Sequence, residues 1–133
     1  MESSDVVVGT NGTAAQYNNL RKDALLGHKY VGVDTDGATV TFNLSDVTKS
    51  NLRQVTLGGN RTLALSNVSV GQVFILRLIQ DGGGSRTVTW FSEIKWTGGV
   101  APTLTTTAGK TDSFGFICIS AGVYEGYILG MNI

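Results

Sequence analysis

The sequence predicts an all-β fold: an antiparallel β-sandwich or jelly roll of about eight strands, preceded by an extended N-terminal arm and one short helix. Three observations predict it. From about residue 29 onward, apolar and polar residues alternate with the period of two expected of half-buried strands. Turn signals rich in Gly, Asn and Ser separate the alternating runs, and no helical pattern appears after residue 28. The composition is that of a β-rich, turn-rich chain, with 18 Gly, a single Pro and only 15% charged residues. An up-and-down barrel is the second architecture the same pattern allows, and no repeat stands out at a fixed period.

Two regions follow, residues 1–28 as arm and helix and residues 29–133 as the β domain. In the arm, Val6-Val7-Val8 is a β-branched run with no partner of its own, suited to adding a strand to a sheet edge. Residues 13–26 are the helix candidate. Thr13 is placed as N-cap, Tyr17, Leu20, Ala24 and Leu25 form one narrow apolar stripe, and Gly27 stops the helix. A stripe this narrow needs a surface to pack on.

The strands come next. Thr39 to Leu44 alternates cleanly, and Arg53 to Leu57 follows. After the turn Gly58-Gly59-Asn60 comes Arg61 to Leu65. Gln72 to Gln80 is almost continuously apolar, broken by Arg77, and reads as a central strand buried on both faces for much of its length. Asp81 to Ser85 reads as a hairpin loop, returning through Arg86 to Trp90. Ile94-Lys95-Trp96 is a short strand, and Thr97 to Lys110 is a long polar loop. A final hairpin joins Asp112–Ser120 to Val123–Gly130 around Ala121-Gly122.

Charge narrows the function. Ten basic and ten acidic residues cancel, and Arg77, Arg86, Lys95 and Lys110 are scattered among acids, so nucleic-acid binding is not expected. So neutral a surface favours association with other copies or a larger assembly. No apolar run is long enough to span a membrane, and the acidic N-terminus lacks the features of a secretory signal. The four N-x-[ST] sites at Asn11, Asn43, Asn60 and Asn67 are then products of a β-turn composition.

Enzyme chemistry finds little to work with. The single His28 lies at a loop boundary, no G-x-S-x-G is present, and Cys118 sits in an apolar run that marks it as a buried thiol. Two Cys and His residues in all leave a zinc site without ligands. Asp34-Thr35-Asp36-Gly37 resembles the start of a calcium loop but lacks the later ligands, and an Asp-Gly turn accounts for it. Neither metal nor cofactor is expected. The one candidate ligand face is Trp90, Glu93 and Trp96, where two indoles flank a carboxylate as in sugar recognition. The plainer reading packs Trp90, Phe91 and Trp96 under the long loop and leaves Glu93 in solvent. Glu125, the other interior glutamate, faces solvent on the last strand.

The order of several phrases resembles a β module of bacteriophage tail fibres and other virion proteins. They are Asn60 to Val68, Gly71-Gln72-Val73-Phe74, Leu78 to Gly82, Ser85 to Trp90, Ile94-Lys95-Trp96, Ala101 to Leu104 and Ala108-Gly109-Lys110. The likeness spans roughly residues 37–130, and Gly12 to Asp23 is similar to a segment of short phage structural proteins. The resemblance implies a non-enzymatic homotrimer on the virion exterior, at a fibre tip or on the capsid. At this length, and without shaft or coiled coil, a small head-fibre or capsid-decoration protein is the better fit. Its partners would be its own copies, other virion proteins such as the major capsid protein, and host-surface glycan. Docking is expected through Val6, Val7, Val8, Tyr17, Leu20 and Leu25, with loops 81–85 and 97–110 facing outward. A carbohydrate-binding module using Trp90 and Trp96 is the alternative.

Overall fold

The structure is a computed structural model that describes residues 30–133. The predicted arm and helix of residues 1–28, with Val6, Val7, Val8, Tyr17, Leu20, Leu25 and His28, lie outside the described residues. Among the described residues nine strands are present: β1 (Gly32–Val33), β2 (Thr39–Asn43), β3 (Leu52–Leu57), β4 (Arg61–Ser66), β5 (Val73–Gln80), β6 (Val88–Thr89), β7 (Ile94–Trp96), β8 (Thr111–Ser120) and β9 (Val123–Gly130). A single 3-10 turn, Thr97–Gly99, follows β7. The all-β class and the strand positions read from alternation are both found.

The strands form a six-stranded sheet in the order β1-β3-β5-β8-β9-β7 and a three-stranded sheet in the order β2-β4-β6. Successive strands β1 to β6 alternate between the two sheets. Each lies parallel to the strand two before it: β3 on β1, β5 on β3, β4 on β2 and β6 on β4. The chain therefore winds through three coils of a two-sided β-solenoid. The hairpin β8–β9 closes it, pairing antiparallel to β5 through β8, and β7 adds parallel to β9.

This corrects the predicted antiparallel arrangement, because among the described residues only the β5–β8 and β8–β9 pairs are antiparallel. Parallel neighbours need a crossover of about a dozen residues or more. Here the strand in the opposite sheet is that crossover: residues 58–72, containing β4, carry the chain from β3 to β5. Gly58-Gly59-Asn60 and Asp81 to Ser85 likewise take the chain across the core and are not hairpin turns. Alternation encodes which face of a strand is buried, not which strand lies beside it.

The coils also explain why no repeat is visible. Gly32 pairs with Arg53, 21 residues on, and Leu52 with Ile75, 23 on. Thr39 pairs with Thr62, 23 on, while Thr62 pairs with Thr89, 27 on. Loops of unequal length erase the period, although the structural repeat remains.

One core lies between the inner faces. Val40, Phe42 and Leu63 come from the three-stranded sheet, and Val55, Leu57, Phe74, Leu76, Leu78, Phe114, Phe116 and Cys118 from the six-stranded one. Register stacks like on like, with Val40 beside Leu63, Val55 beside Leu78 and Phe74 beside Phe116. The Phe74 and Phe116 rings stack with centroids 5.3 Å apart.

The outer faces differ. That of the three-stranded sheet carries Thr39, Thr62 and Thr89 in one row across all its strands. That of the six-stranded sheet sets aliphatic side chains such as Val73, Ile75, Ile117 and Leu129 among Gln54, Thr56, Arg77, Ser113 and Glu125. β5 is central in its sheet but not buried on both faces: Phe74, Leu76, Leu78 and Gln80 are buried, while Val73 on the outer side is 55% exposed.

Candidate functional site

The indole pair forms in the third coil. Trp90 follows β6, Trp96 ends β7, and their centroids lie 5.1 Å apart with planes inclined by 65°. Trp90 meets Phe114 edge-on at 5.0 Å, and Trp96 meets Phe116 at 5.6 Å. Phe91 joins through Phe116 and Tyr124. Burial pushes the Tyr124 phenol above its ordinary pKa. Gly126 of β9 makes this packing possible, because a Cβ there would come within 2.8 Å of both Ile94 and Trp96. The two half-buried indoles thus interlock with core rings in edge-to-face geometry, and they do not share one plane.

Glu93 is exposed. Its backbone does structural work: its N–H donates to the Gly122 carbonyl at 3.1 Å, and its carbonyl accepts from the Tyr124 N–H at 2.8 Å. These bonds fasten β7 to the β8–β9 turn. Glu125 projects from the outer face of β9 and accepts from the Tyr127 hydroxyl at 2.8 Å, which raises the Tyr127 pKa. Two shallow clefts flank the aromatic cluster. One of about 230 Å³ is lined by Trp96, Val100 and Tyr127, and one of about 270 Å³ by Arg86, Trp90, Pro102 and Leu104.

Two buried side chains hold the loops. The Gln80 amide donates to the Arg86 and Thr105 carbonyls at 2.9 and 2.8 Å, and its oxygen accepts from the Arg86 N–H at 2.9 Å. Asp112 accepts from the Thr105 N–H at 2.6 Å and the Asn132 N–H at 2.9 Å, tying the long loop to the C-terminus. Loop 81–85 is tied directly to loop 97–110, the Ser85 N–H donating to the Thr106 carbonyl at 2.7 Å. Gly84 is required there, with φ +63° and Thr106 and Ala108 backbone atoms where a Cβ would stand. The Arg86 guanidinium grips Asp81 with two bonds of 3.0 Å and lowers its pKa. Both loops are fixed surfaces.

The Asp34–Gly37 segment is committed to arginines. Asp36 receives a bidentate fork from Arg61, both bonds 2.8 Å, which holds its carboxyl below the ordinary pKa. Asp34 is buried and meets Lys49 at 2.9 Å and Arg53 at 3.2 Å. Arg53 is itself 1% exposed, and it also donates to the Ser50 and Asn43 carbonyls. A Cβ at Gly32 would lie 2.8 Å from the Arg53 side chain, so this glycine leaves the arginine its space. The sequence carried a signal for this cluster: Arg53 alternates in step with Val55 and Leu57, and so shares their inward face.

Of the sequons, Asn11 lies outside the described residues, and the other three have turn roles. Asn60 Oδ1 accepts from the Thr87 N–H at 3.0 Å, and Asn67 Nδ2 donates to Asn43 Oδ1 at 3.1 Å, each joining successive coils. Cys118 is buried with its Sγ donating to the Ser120 carbonyl at 3.2 Å. Among the described residues, no group of three metal-ligating side chains gathers and no helix is long and apolar enough to cross a membrane. No protein-family model, curated protein or solved structure matches the chain.

Proposed function

We propose that this chain is a non-enzymatic bacteriophage virion protein. It is a trimeric head-fibre, capsid-decoration or fibre-tip component that docks through residues 1–28 and projects its β domain outward. The observation that carries the reading is the polarity of the coil stack. The chain enters at Tyr30 beside the first coil, where the Ser50 hydroxyl donates to the Tyr30 carbonyl at 2.6 Å. Loops 81–85 and 97–110 belong to the third coil, cross-tied by Gln80 and by the Ser85–Thr106 bond. The first coil forms one edge of the six-stranded sheet, while loops 81–85 and 97–110 lie by the third coil and the added strands β8, β9 and β7, away from that edge, which suits a spacer that presents a surface. The order of phrases from Asn60 to Lys110 supports the virion assignment, and the neutral formal charge suits close packing with other subunits. Three linked copies would turn weak contacts by Val6, Val7, Val8, Tyr17, Leu20 and Leu25 into firm attachment. The third-coil loops would be the surface offered to a host glycan.

Deletion of residues 1–12 is expected to abolish incorporation into purified particles, read by immunoblot, and to leave the far-UV spectrum of the β domain unchanged. Incorporation of the truncated chain would contradict docking through the arm.

A further inference from the structure

We propose that Val6-Val7-Val8 is the first strand of this solenoid, paired parallel to the open edge of β1 in the same chain. Among the described residues β1 pairs only with β3. Gly32 and Asp34 turn their backbone groups toward β3, where the Asp34 N–H donates to the Gln54 carbonyl at 2.9 Å. Alternate residues of a strand turn theirs the other way, so the N–H and C=O groups of Val31 and Val33 face outward. They have no hydrogen-bond partner among the described residues. Their side chains are exposed as well, Val31 at 37% and Val33 at 61%. An apolar edge with open backbone groups is a template for one more strand.

The winding selects the segment that fills it. Each coil brings the chain back beside itself after 21 to 27 residues, as in Gly32 with Arg53, Leu52 with Ile75, Thr39 with Thr62 and Thr62 with Thr89. The same count back from Gly32 lands on residues 5–11, which contain the β-branched run Val6-Val7-Val8. Counted back from β2 it lands on residues 12–22, within the helix candidate, so β1 is the edge the run reaches. The run lies one coil upstream, and the chain's own arm therefore closes the edge without a second copy.

Register follows from side-chain facing. Val7 beside Gly32 sets Val6 beside Val31 and Val8 beside Val33, apolar against apolar as in the later coils. In this register the Val7 N–H donates to the Val31 carbonyl, and the Val7 carbonyl accepts from the Val33 N–H. Residues 9–31 exceed the dozen or so that a parallel crossover needs. The helix candidate of residues 13–26 then takes the crossover position that β2 and β4 hold in the later coils. Solenoids close their open ends with terminal units that depart from the repeat. Val6 and Val8 stay on the outer side beside Val31 and Val33, so a paired arm still presents them for docking.

The pairing needs nothing from the virion reading. Its test uses cysteine pairs in the full-length chain, where the native Cys118 is buried. Neighbouring strands stand about 4.8 Å apart, within the roughly 4.4–6.8 Å that a disulfide spans between Cα atoms. Cysteines at Val6, Val7 and Val8 are each combined with Val33→Cys and mildly oxidised. Val8→Cys with Val33→Cys is expected to lose both new thiols and to migrate at the single-chain mass at every protein concentration. Val8→Cys with Val100→Cys, exposed beyond β7 at the opposite sheet edge, is expected to keep them. Amide exchange is the second measurement. The Val33 N–H should be protected in the wild type and exchange about tenfold faster in Val7→Pro, with the β5 amides unchanged. A cross-link at twice the chain mass overturns the proposal, since the arm then belongs to a second copy. So does the absence of a cross-link at all three arm positions, or an unprotected Val33 N–H in the wild type. Particle incorporation, measured separately, tests the virion reading.

Discussion

The two sheets share one core and one winding, yet their outer faces differ. On the three-stranded sheet the outward positions include Thr39, Thr41, Asn43, Thr62 and Ser66, hydroxyl and amide groups that water satisfies, beside the small Ala64. On the six-stranded sheet they include Val73, Ile75, Ile117 and Leu129, which water does not favour, set among Gln54, Thr56, Arg77, Ser113 and Glu125. A solenoid coil needs apolar residues only inward, so these aliphatic positions are surplus to folding. That difference separates what holds the chain together from what lies outside the core, and substitutions on each surface should behave accordingly.

The largest effect belongs to the shared interior. Phe116 packs on Phe74, Trp90, Phe91 and Trp96. Phe116→Ala is expected to cost about 3–5 kcal/mol, read as a lower urea midpoint. Asp34→Ala is next, at about 3 kcal/mol, because it strips the buried Arg53 of its carboxylate partner. The same unfolding experiment measures it, and an unchanged midpoint would mean that Arg53 is satisfied without Asp34.

Acid should produce a smaller loss. Asp36 and Asp81 have pKa values depressed by Arg61 and Arg86. A depressed folded pKa gives stability that is present above the unfolded value of about 4 and fades as pH falls through the folded one. The urea midpoint should therefore be flat from neutral pH to about 5 and fall below about 4, with Arg61→Gln and Arg86→Gln flattening that fall. The smallest effect is expected on the hydroxyl face. Thr41→Lys should change stability by less than about 0.5 kcal/mol, read from the same urea midpoint.

Strand positions were legible because inward residues are apolar at every second position, as in Thr39 to Asn43. Pairing was not. Gly82-Gly83-Gly84 looks the same in sequence whether the chain folds back or crosses to the opposite sheet. The continuous apolar run of β5 signals two faces that avoid water. Sequence reads this as burial within one chain, while the structure leaves Val73 exposed at the outer surface. At the candidate ligand face, packing of Trp90, Phe91 and Trp96 under the long loop was the plainer of the two sequence readings. The 65° inclination of the indoles was not, since it depends on Gly126, thirty residues further along in β9.

The most direct test is thiol labelling on the two outer faces of the full-length chain. The native Cys118 is buried and provides a quiet background. Thr62→Cys should label rapidly at all protein concentrations. Val73→Cys should also label rapidly, because its side of β5 lies outside the core. Slow labelling of Val73→Cys at every concentration would contradict the account, since β5 would then be buried on both faces.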